Sequence, residues 1–303
     1  MTDIETQPAH YRPSSDGFLG LDEEQAGPPS AARAVVIPFG LESSVSYGTG
    51  TALGPQAIIE ASHQVELFDE RLWGEPALEI GIATLSEFPL SDSISECLTQ
   101  LEQVVERTLS AGQFPLVLGG EHSVTAGAIR PFARRFDTLS VLHFDAHADL
   151  RDGYEGEHYS HAAAIRRVLD HSNVSVVSLG IRNISAEGAA YARANSDRVA
   201  IHWARDRHRY DIDAIMGELG DHPVYLTFDL DGFDPSVITA TGTPEPGGLM
   251  WDDVIPIIER VGQTHRVVGA DVVELAPRPG WPASDFAAAK LAYRILTSAL
   301  VGY

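Results

Sequence analysis

Short apolar runs alternate with longer, helically spaced stretches along most of the chain. The runs are Ala34 to Pro38, Leu116 to Leu118, Leu139 to Phe144, Val174 to Leu179, Val224 to Phe228 and Val267 to Val273. They are rich in β-branched residues and apolar at successive positions, the pattern of strands buried on both faces of a parallel sheet. Between them Ile94, Leu98, Leu101, Val105 and Leu109 keep the spacing of a helix from Ser93 to Ala111. A second helix is expected from Asp252 to Gly262, capped by Asp252. The alternation predicts a βαβ order and an α/β fold with helices on both sides of one sheet. In such folds ligands sit outside the carboxyl ends of the strands.

Residues 1–32 break the pattern. They mix Pro, Ser, Gly, Asp and Glu without an apolar period, so the expectation is an N-terminal arm outside the core. Its one apolar knot is Phe18, Leu19 and Leu21. The remainder, residues 33–303, reads as a single domain, since a chain of 303 residues that is 44% hydrophobic can bury one large core. No stretch approaches the roughly 18 consecutive apolar residues of a membrane span, and the polar N-terminus lacks the features of a signal peptide. A cytoplasmic protein with no membrane partner is expected.

Charge and cysteine content narrow the chemistry. With 43 acidic against 21 basic residues the formal charge is -22, which excludes nucleic acid as a natural partner and favours cations. The single cysteine, Cys97, rules out a thiolate metal cluster. Any metal site must therefore be built from histidines and carboxylates.

The strongest candidate for such a site follows the run Leu139 to Leu142, in His143-Phe144-Asp145-Ala146-His147-Ala148-Asp149. While the chain stays extended, Asp145, His147 and Asp149 point to one side. Like charges crowded there call for a cation. The run Val224 to Phe228 ends in Asp229-Leu230-Asp231-Gly232-Phe233-Asp234-Pro235, where Asp229 and Asp231 share a side and Leu230 can return to the core. A third run ends in Gly119-Gly120-Glu121-His122-Ser123, whose glycines let the backbone turn and bring His122 over the sheet edge. Four aspartates and two histidines at three strand ends suffice for two divalent cations, and a set with one imidazole per metal suits Mn²⁺. Two such cations sharing a water make hydroxide available near neutral pH.

Other motifs are weaker. Tyr47-Gly48-Thr49-Gly50-Thr51-Ala52-Leu53-Gly54 resembles a phosphate-binding loop, but its third glycine is one residue late and no lysine follows, so it reads as a turn or substrate-lining segment. Ser123 lacks the G-x-S-x-G setting of a nucleophile. Arg205, Arg207 and Arg209 form a short basic surface patch.

Three of these motifs, Gly119-Gly120-Glu121-His122-Ser123, Asp145-Ala146-His147-Ala148-Asp149 and Phe228-Asp229-Leu230-Asp231-Gly232-Phe233-Asp234-Pro235, resemble those of the ureohydrolases, the arginase and agmatinase family. The resemblance runs from about Phe18 to the C-terminus and includes Thr241 to Gly248 and Asp271 to Pro277. It implies a three-layer α/β/α fold with a parallel sheet of about eight strands, and residues 33–303 as one catalytic domain. By motif, one Mn²⁺ would be held by His122, Asp145, Asp149 and Asp229, the other by Asp145, His147, Asp229 and Asp231. Asp149 would also move a proton, Glu274 would pair with a guanidinium, and His161 would match the proton-shuttling histidine, with His158 as a rival. Asp234 reads as a structural turn residue. The family also implies a homo-oligomer, trimer or hexamer.

The activity so implied is hydrolysis of a small cationic guanidino substrate to urea and an amine, foremost agmatine to putrescine, a step of polyamine biosynthesis. Glu155 and Glu157, with Asp152, make the loop after Asp149 acidic, so they are expected to favour a cationic substrate tail. Arg151 in the same loop is the residue that could reverse this preference. Alternatives are a guanidinobutyrase or another guanidino-compound hydrolase, and a non-catalytic regulatory paralogue. True arginase fits less well because the loop lacks an asparagine-containing segment for the amino-acid carboxylate. The related single-zinc deacetylases are disfavoured by Asp149 and the Asp229 and Asp231 pair.

Overall fold

The computed structural model describes residues 10–303, and its centre is one eight-stranded sheet. The strands are β1 (Ala34–Phe39), β2 (Ile82–Thr84), β3 (Phe114–Gly119), β4 (Leu139–Phe144), β5 (Val174–Ile181), β6 (Val199–Trp203), β7 (Val224–Asp229) and β8 (Val267–Val273). They lie in the order β2, β1, β3, β8, β7, β4, β5, β6 and every pairing is parallel. All carboxyl ends therefore open on one edge. The central four, β3, β8, β7 and β4, bring the motifs at Gly119, Val273, Asp229 and Phe144 side by side.

Alternation along each strand divides the core into two layers. Val36, Leu142 and Phe144 pack under helices Gly54–Ser62, Ile212–Leu219, Trp251–Thr264 and Ala283–Leu300. Val35, Ile37, Leu139 and Val141 pack under Ile94–Ser110, Val124–Ala128, Arg130–Arg135 and Ala164–Val168 on the other face. Full burial of a side chain such as Phe144 stabilises the fold by about 2–3 kcal/mol, which is why both faces of the inner strands are apolar. The architecture is the three-layer α/β/α sandwich that the alternation and the family resemblance imply. No helix among the described residues is long and apolar enough to cross a membrane.

Three local expectations are corrected. Residues 1–9 of the expected arm lie outside the described residues, but the apolar knot at Phe18 to Leu21 joins the core, while residues 22–25 and 27–31 are exposed. Phe18, Leu19 and Leu21 are buried, and the backbone N–H groups of Phe18 and Leu19 donate to Thr84 Oγ1 and Ser62 Oγ at 2.8 and 2.7 Å. The two strands absent from the apolar runs, β2 and β6, are the sheet's outer edges: β2 is 3 residues long and β6 is half-buried after Val199. Finally, Asp252 does not cap its helix. Trp251–Thr264 begins one residue earlier, and it is Asp253 whose carboxylate accepts the N–H of Met250 at 2.8 Å.

Candidate metal centre and cleft

His122 reaches the sheet edge because the chain after β3 turns tightly against the loop at Leu41. The N–H groups of Gly120 and Glu121 donate to Phe39 and Leu41 carbonyls at 3.0 and 2.8 Å. A side chain at Gly120 would lie 1.9 Å from the Leu41 carbonyl oxygen, so only glycine permits this approach. His122 is buried, with Nδ1 3.1 Å from Asp145 Oδ2, 3.0 Å from Asp149 Oδ2 and 3.3 Å from Asp229 Oδ2. Its other ring nitrogen, Nε2, lies 3.0 Å from Thr227 Oγ1.

The run after β4 converges as expected but by a different backbone path. The strand stops at Phe144, and Asp149 takes a left-handed conformation with φ 48°, so the segment is not extended throughout. Asp145 is held by the His147 N–H at 2.6 Å and by His143 Nε2 at 2.9 Å. On the neighbouring strand end, Asp231 donates its N–H to Asp229 Oδ1 at 2.8 Å in a single helical turn, and Leu230 returns to the core. Asp231 Oδ2 lies 3.0 Å from His147 Nδ1. Two groups suited to a metal ion result, His122 with His143 and Asp145, and Asp145 with His147 and Asp231. Asp145 belongs to both.

The electrostatics of this cluster call for positive charge. Burial, together with the charges of Asp231 and Asp145, pushes Asp229 well above the usual carboxylate range. Burial opposes the protonated form of His122 and His147, yet the surrounding carboxylates win, holding His122 well above the usual imidazole range and His147 at about 12. The buried Nδ1 of His122 has three carboxylates within reach and makes no hydrogen bond. Carboxylates converging on unbonded imidazole nitrogen are the donor set of a hard or borderline divalent cation, so the residues fit a metal.

His143 was legible as part of a motif but not as a site residue. Alternation places it on the same side as Asp145, two residues on. Both its ring nitrogens are engaged, with Nδ1 2.9 Å from Ser178 Oγ and Nε2 on Asp145, so it orients that carboxylate.

His122, His147, Asp149, Asp229 and Asp231 line one cleft together with His161 and Glu274. Glu274 follows β8 with φ 66°, a strained conformation for a side-chain-bearing residue, and is fixed by the His122 N–H on Oε1 at 2.7 Å. Burial and the nearby charges of Glu121 and Asp231 raise its pKa well above the usual range, against the pull of that N–H. His158 is not in the cleft. Its ring meets Arg167, so of His158 and His161 only His161 lines the cleft.

The acidic loop is arranged otherwise than its charges suggest. Glu155 and Glu157 are not among the cleft-lining residues: Glu155 is exposed, and Glu157 Oε1 accepts the Tyr159 N–H at 2.9 Å. Arg151 and Tyr154 do line the cleft, the guanidinium lying 5.1 Å from the tyrosine ring centre. The glycine-rich segment is no phosphate cradle, because the N–H groups of Gly50 and Ala52 are taken by Glu42 at 2.8 and 2.9 Å. Asp234 is a turn residue, bonded to Ser236, Gly247 and Gly248.

Fold and cleft together define a parallel α/β scaffold with a cluster of His and Asp side chains at its strand ends that could hold a metal ion. The chain belongs to the arginase family, whose model matches residues 32–298. It is 35% identical over 286 residues to the N(1)-aminopropylagmatine ureohydrolase of Synechocystis sp., covering 91% of this chain and 92% of that one. It is 34% identical over 254 residues to the agmatinase of Bacillus anthracis, covering 82% and 86%. The crystal structure of the agmatine ureohydrolase of Thermoplasma volcanium superimposes with a TM-score of 0.82 at 31% identity, over 94% of each chain. The protein is thus an enzyme, an agmatinase-like ureohydrolase of a family of binuclear metal hydrolases.

Proposed function

We propose that this enzyme hydrolyses agmatine to putrescine and urea in the cytoplasm, with two Mn²⁺ ions per chain, residues 33–303 as its catalytic domain, and a trimeric or hexameric assembly. The observation that carries the reading is the shared cleft, in which a carboxylate-rich metal-binding cluster faces both a buried glutamate and a histidine. His122, Asp145, Asp149 and Asp229 would hold one ion, and Asp145, His147, Asp229 and Asp231 the other. With only one imidazole per ion, the set suits Mn²⁺ better than Zn²⁺. When bound, the two cations activate a water as the nucleophile.

The protein's own groups supply the rest. A guanidinium carbon is poorly electrophilic because its charge is spread over three nitrogens, so orientation matters. Glu274 pairs with the guanidinium, and the substrate's positive charge offsets the burial and the nearby carboxylates that raise the glutamate's pKa. The amine leaves only when protonated, and Asp149 and His161, both lining the cleft, would carry that proton.

A cationic tail is supported by the relatives named agmatinase and N(1)-aminopropylagmatine ureohydrolase and by the charge of -22. The longer aminopropyl substrate is a second reading, because identity to the Synechocystis enzyme of that name, 35%, is as high as the 34% to the Bacillus anthracis agmatinase. Guanidinobutyrate is favoured only by Arg151 in the cleft wall. The metal assignment is tested by Asp231→Asn and His147→Asn, which should lower manganese occupancy and urea release together. Full activity with one metal per chain would contradict it.

A further inference from the structure

Glu121, Ser44 and His161 form a hydrogen-bonded chain that ends in the cleft. We infer that Ser44, anchored by Glu121, is a positioning residue that fixes His161 in the tautomer with Nδ1 protonated and Nε2 free for proton transfer. The inference rests on the proton-carrying role proposed for His161.

Glu121 is fully buried, between a glycine pair and a metal-binding histidine. It is compensated by donors. Its Oε2 accepts the N–H groups of Ser43 and Ser44, both at 2.6 Å, and its Oε1 accepts the hydroxyls of Ser44 at 2.8 Å and Ser123 at 2.6 Å. A carboxylate only accepts, so the hydroxyl proton of Ser44 is committed to Glu121. What remains on Ser44 Oγ is lone pairs.

Both lone pairs face His161. The backbone N–H of His161 donates to Ser44 Oγ at 2.9 Å, and ring Nδ1 lies 3.1 Å from the same oxygen. An oxygen whose own proton is committed meets a ring nitrogen favourably only if that nitrogen carries hydrogen, so Nδ1 is protonated and the neutral ring keeps its free pair on Nε2. Ser160 Oγ, 3.4 Å from the same nitrogen, is the rival partner at longer range. The Tyr154 ring meets the imidazole edge-on at 6.3 Å between centres and limits its rotation. A buried carboxylate 40 residues before the histidine in sequence thus governs which of its nitrogens serves the reaction.

The test reads the tautomer and the turnover separately. In Zn²⁺-loaded protein, which is diamagnetic, ¹⁵N spectra of the His161 ring, assigned against His161→Asn, should show a protonated Nδ1 and a bare Nε2 above the ring's titration. Ser44→Ala should mix the tautomers, Ser44→Thr should restore the original one, and Ser160→Ala should leave it unchanged. In the manganese enzyme Ser44→Ala should lower kcat by about tenfold or more with KM and metal content unchanged, Ser44→Thr should recover it, and Ser44→Ala should add nothing on a His161→Asn background. A wild-type ring protonated on Nε2, or a tautomer indifferent to Ser44→Ala, overturns the inference whether or not any guanidino compound is turned over. Absence of urea release from the wild-type enzyme with a correct tautomer would instead overturn the proposed function.

Discussion

The Nε2 of His122 lies 3.0 Å from the hydroxyl oxygen of Thr227, and that hydroxyl gives its proton to Asp271 at 2.6 Å. Thr227 can therefore only accept from the imidazole, which puts one ring hydrogen on Nε2 and makes Nδ1, facing Asp145, Asp149 and Asp229, the nitrogen that gives up its proton to free a lone pair. Asp271 is fully buried and also receives Thr125 Oγ1 and Tyr225 OH. In the proposed metal site, this buried polar network beneath the sheet edge would orient His122 toward the ion.

Thr227→Val keeps the side chain's volume and removes the acceptor. Metal affinity at the His122 position should fall about 10- to 100-fold, as is usual for the partners of metal ligands. Asp271 loses one donor, so stability should fall by about 1–3 kcal/mol. Manganese titration and thermal unfolding measure the two effects, and an unchanged affinity would mean that Thr227 does not set the tautomer.

Metal binding should release protons. The carboxylates hold His122 well above its usual pKa and His147 at about 12, so at pH 7 both imidazoles are protonated in metal-free protein and must lose that proton to ligate. Apparent manganese affinity should therefore rise from pH 6 to pH 8. Titration calorimetry in buffers of different ionisation heat reads the protons directly, and a release near zero at pH 7 would contradict this electrostatic account.

Asp234 ties two loops together, and its four hydrogen bonds, to Ser236 and to the N–H groups of Gly247 and Gly248, outweigh partial burial and hold its pKa at about 2. A carboxyl depressed below the roughly 3.9 of an unfolded chain stabilises the fold above about pH 4 and loses that contribution as pH falls through about 2. Asp234→Asn should thus be less stable than the wild type by about 1 kcal/mol at pH 6. Denaturant titrations at a series of pH values should show the difference closing between pH 4 and pH 2. A constant difference would mean that charge plays no part.

The inner strands and the three motifs that meet at the strand ends were legible because both obey short-range rules, apolar runs for burial on two faces and acidic or imidazole residues at strand ends. What failed depended on partners far away in sequence. Phe18, Leu19 and Leu21 look like an isolated knot, yet their burial is set by Ser62 and Thr84. The short edge strand Ile82–Thr84 carries too little pattern to be seen. Glu155 and Glu157 were read from charge alone, but the turn they share puts Arg151 and Tyr154 on the cleft wall instead. Glu121 stood in plain view inside a motif, and nothing in its neighbours revealed the loop at Ser43 and Ser44 that it holds.

Arg151 has its guanidinium against Tyr154 in the cleft wall, the one arginine or lysine among the described lining residues and so a partner for an anionic tail. Arg151→Gln should lower kcat/KM for guanidinobutyrate several-fold and leave that for agmatine equal or higher. Because Glu155 and Glu157 do not line the cleft, replacing both with Gln should change the agmatine value by less than about twofold. Loss of agmatine activity in Arg151→Gln would instead assign the arginine to the reaction itself.

The proposed activity is tested most directly by kcat/KM for urea release from agmatine, guanidinobutyrate and arginine, compared at one pH and salt with the manganese-loaded enzyme. Agmatine should lead by about tenfold or more, since its tail alone lacks a carboxylate. A lead for guanidinobutyrate, or no urea from any of the three, would contradict the assignment.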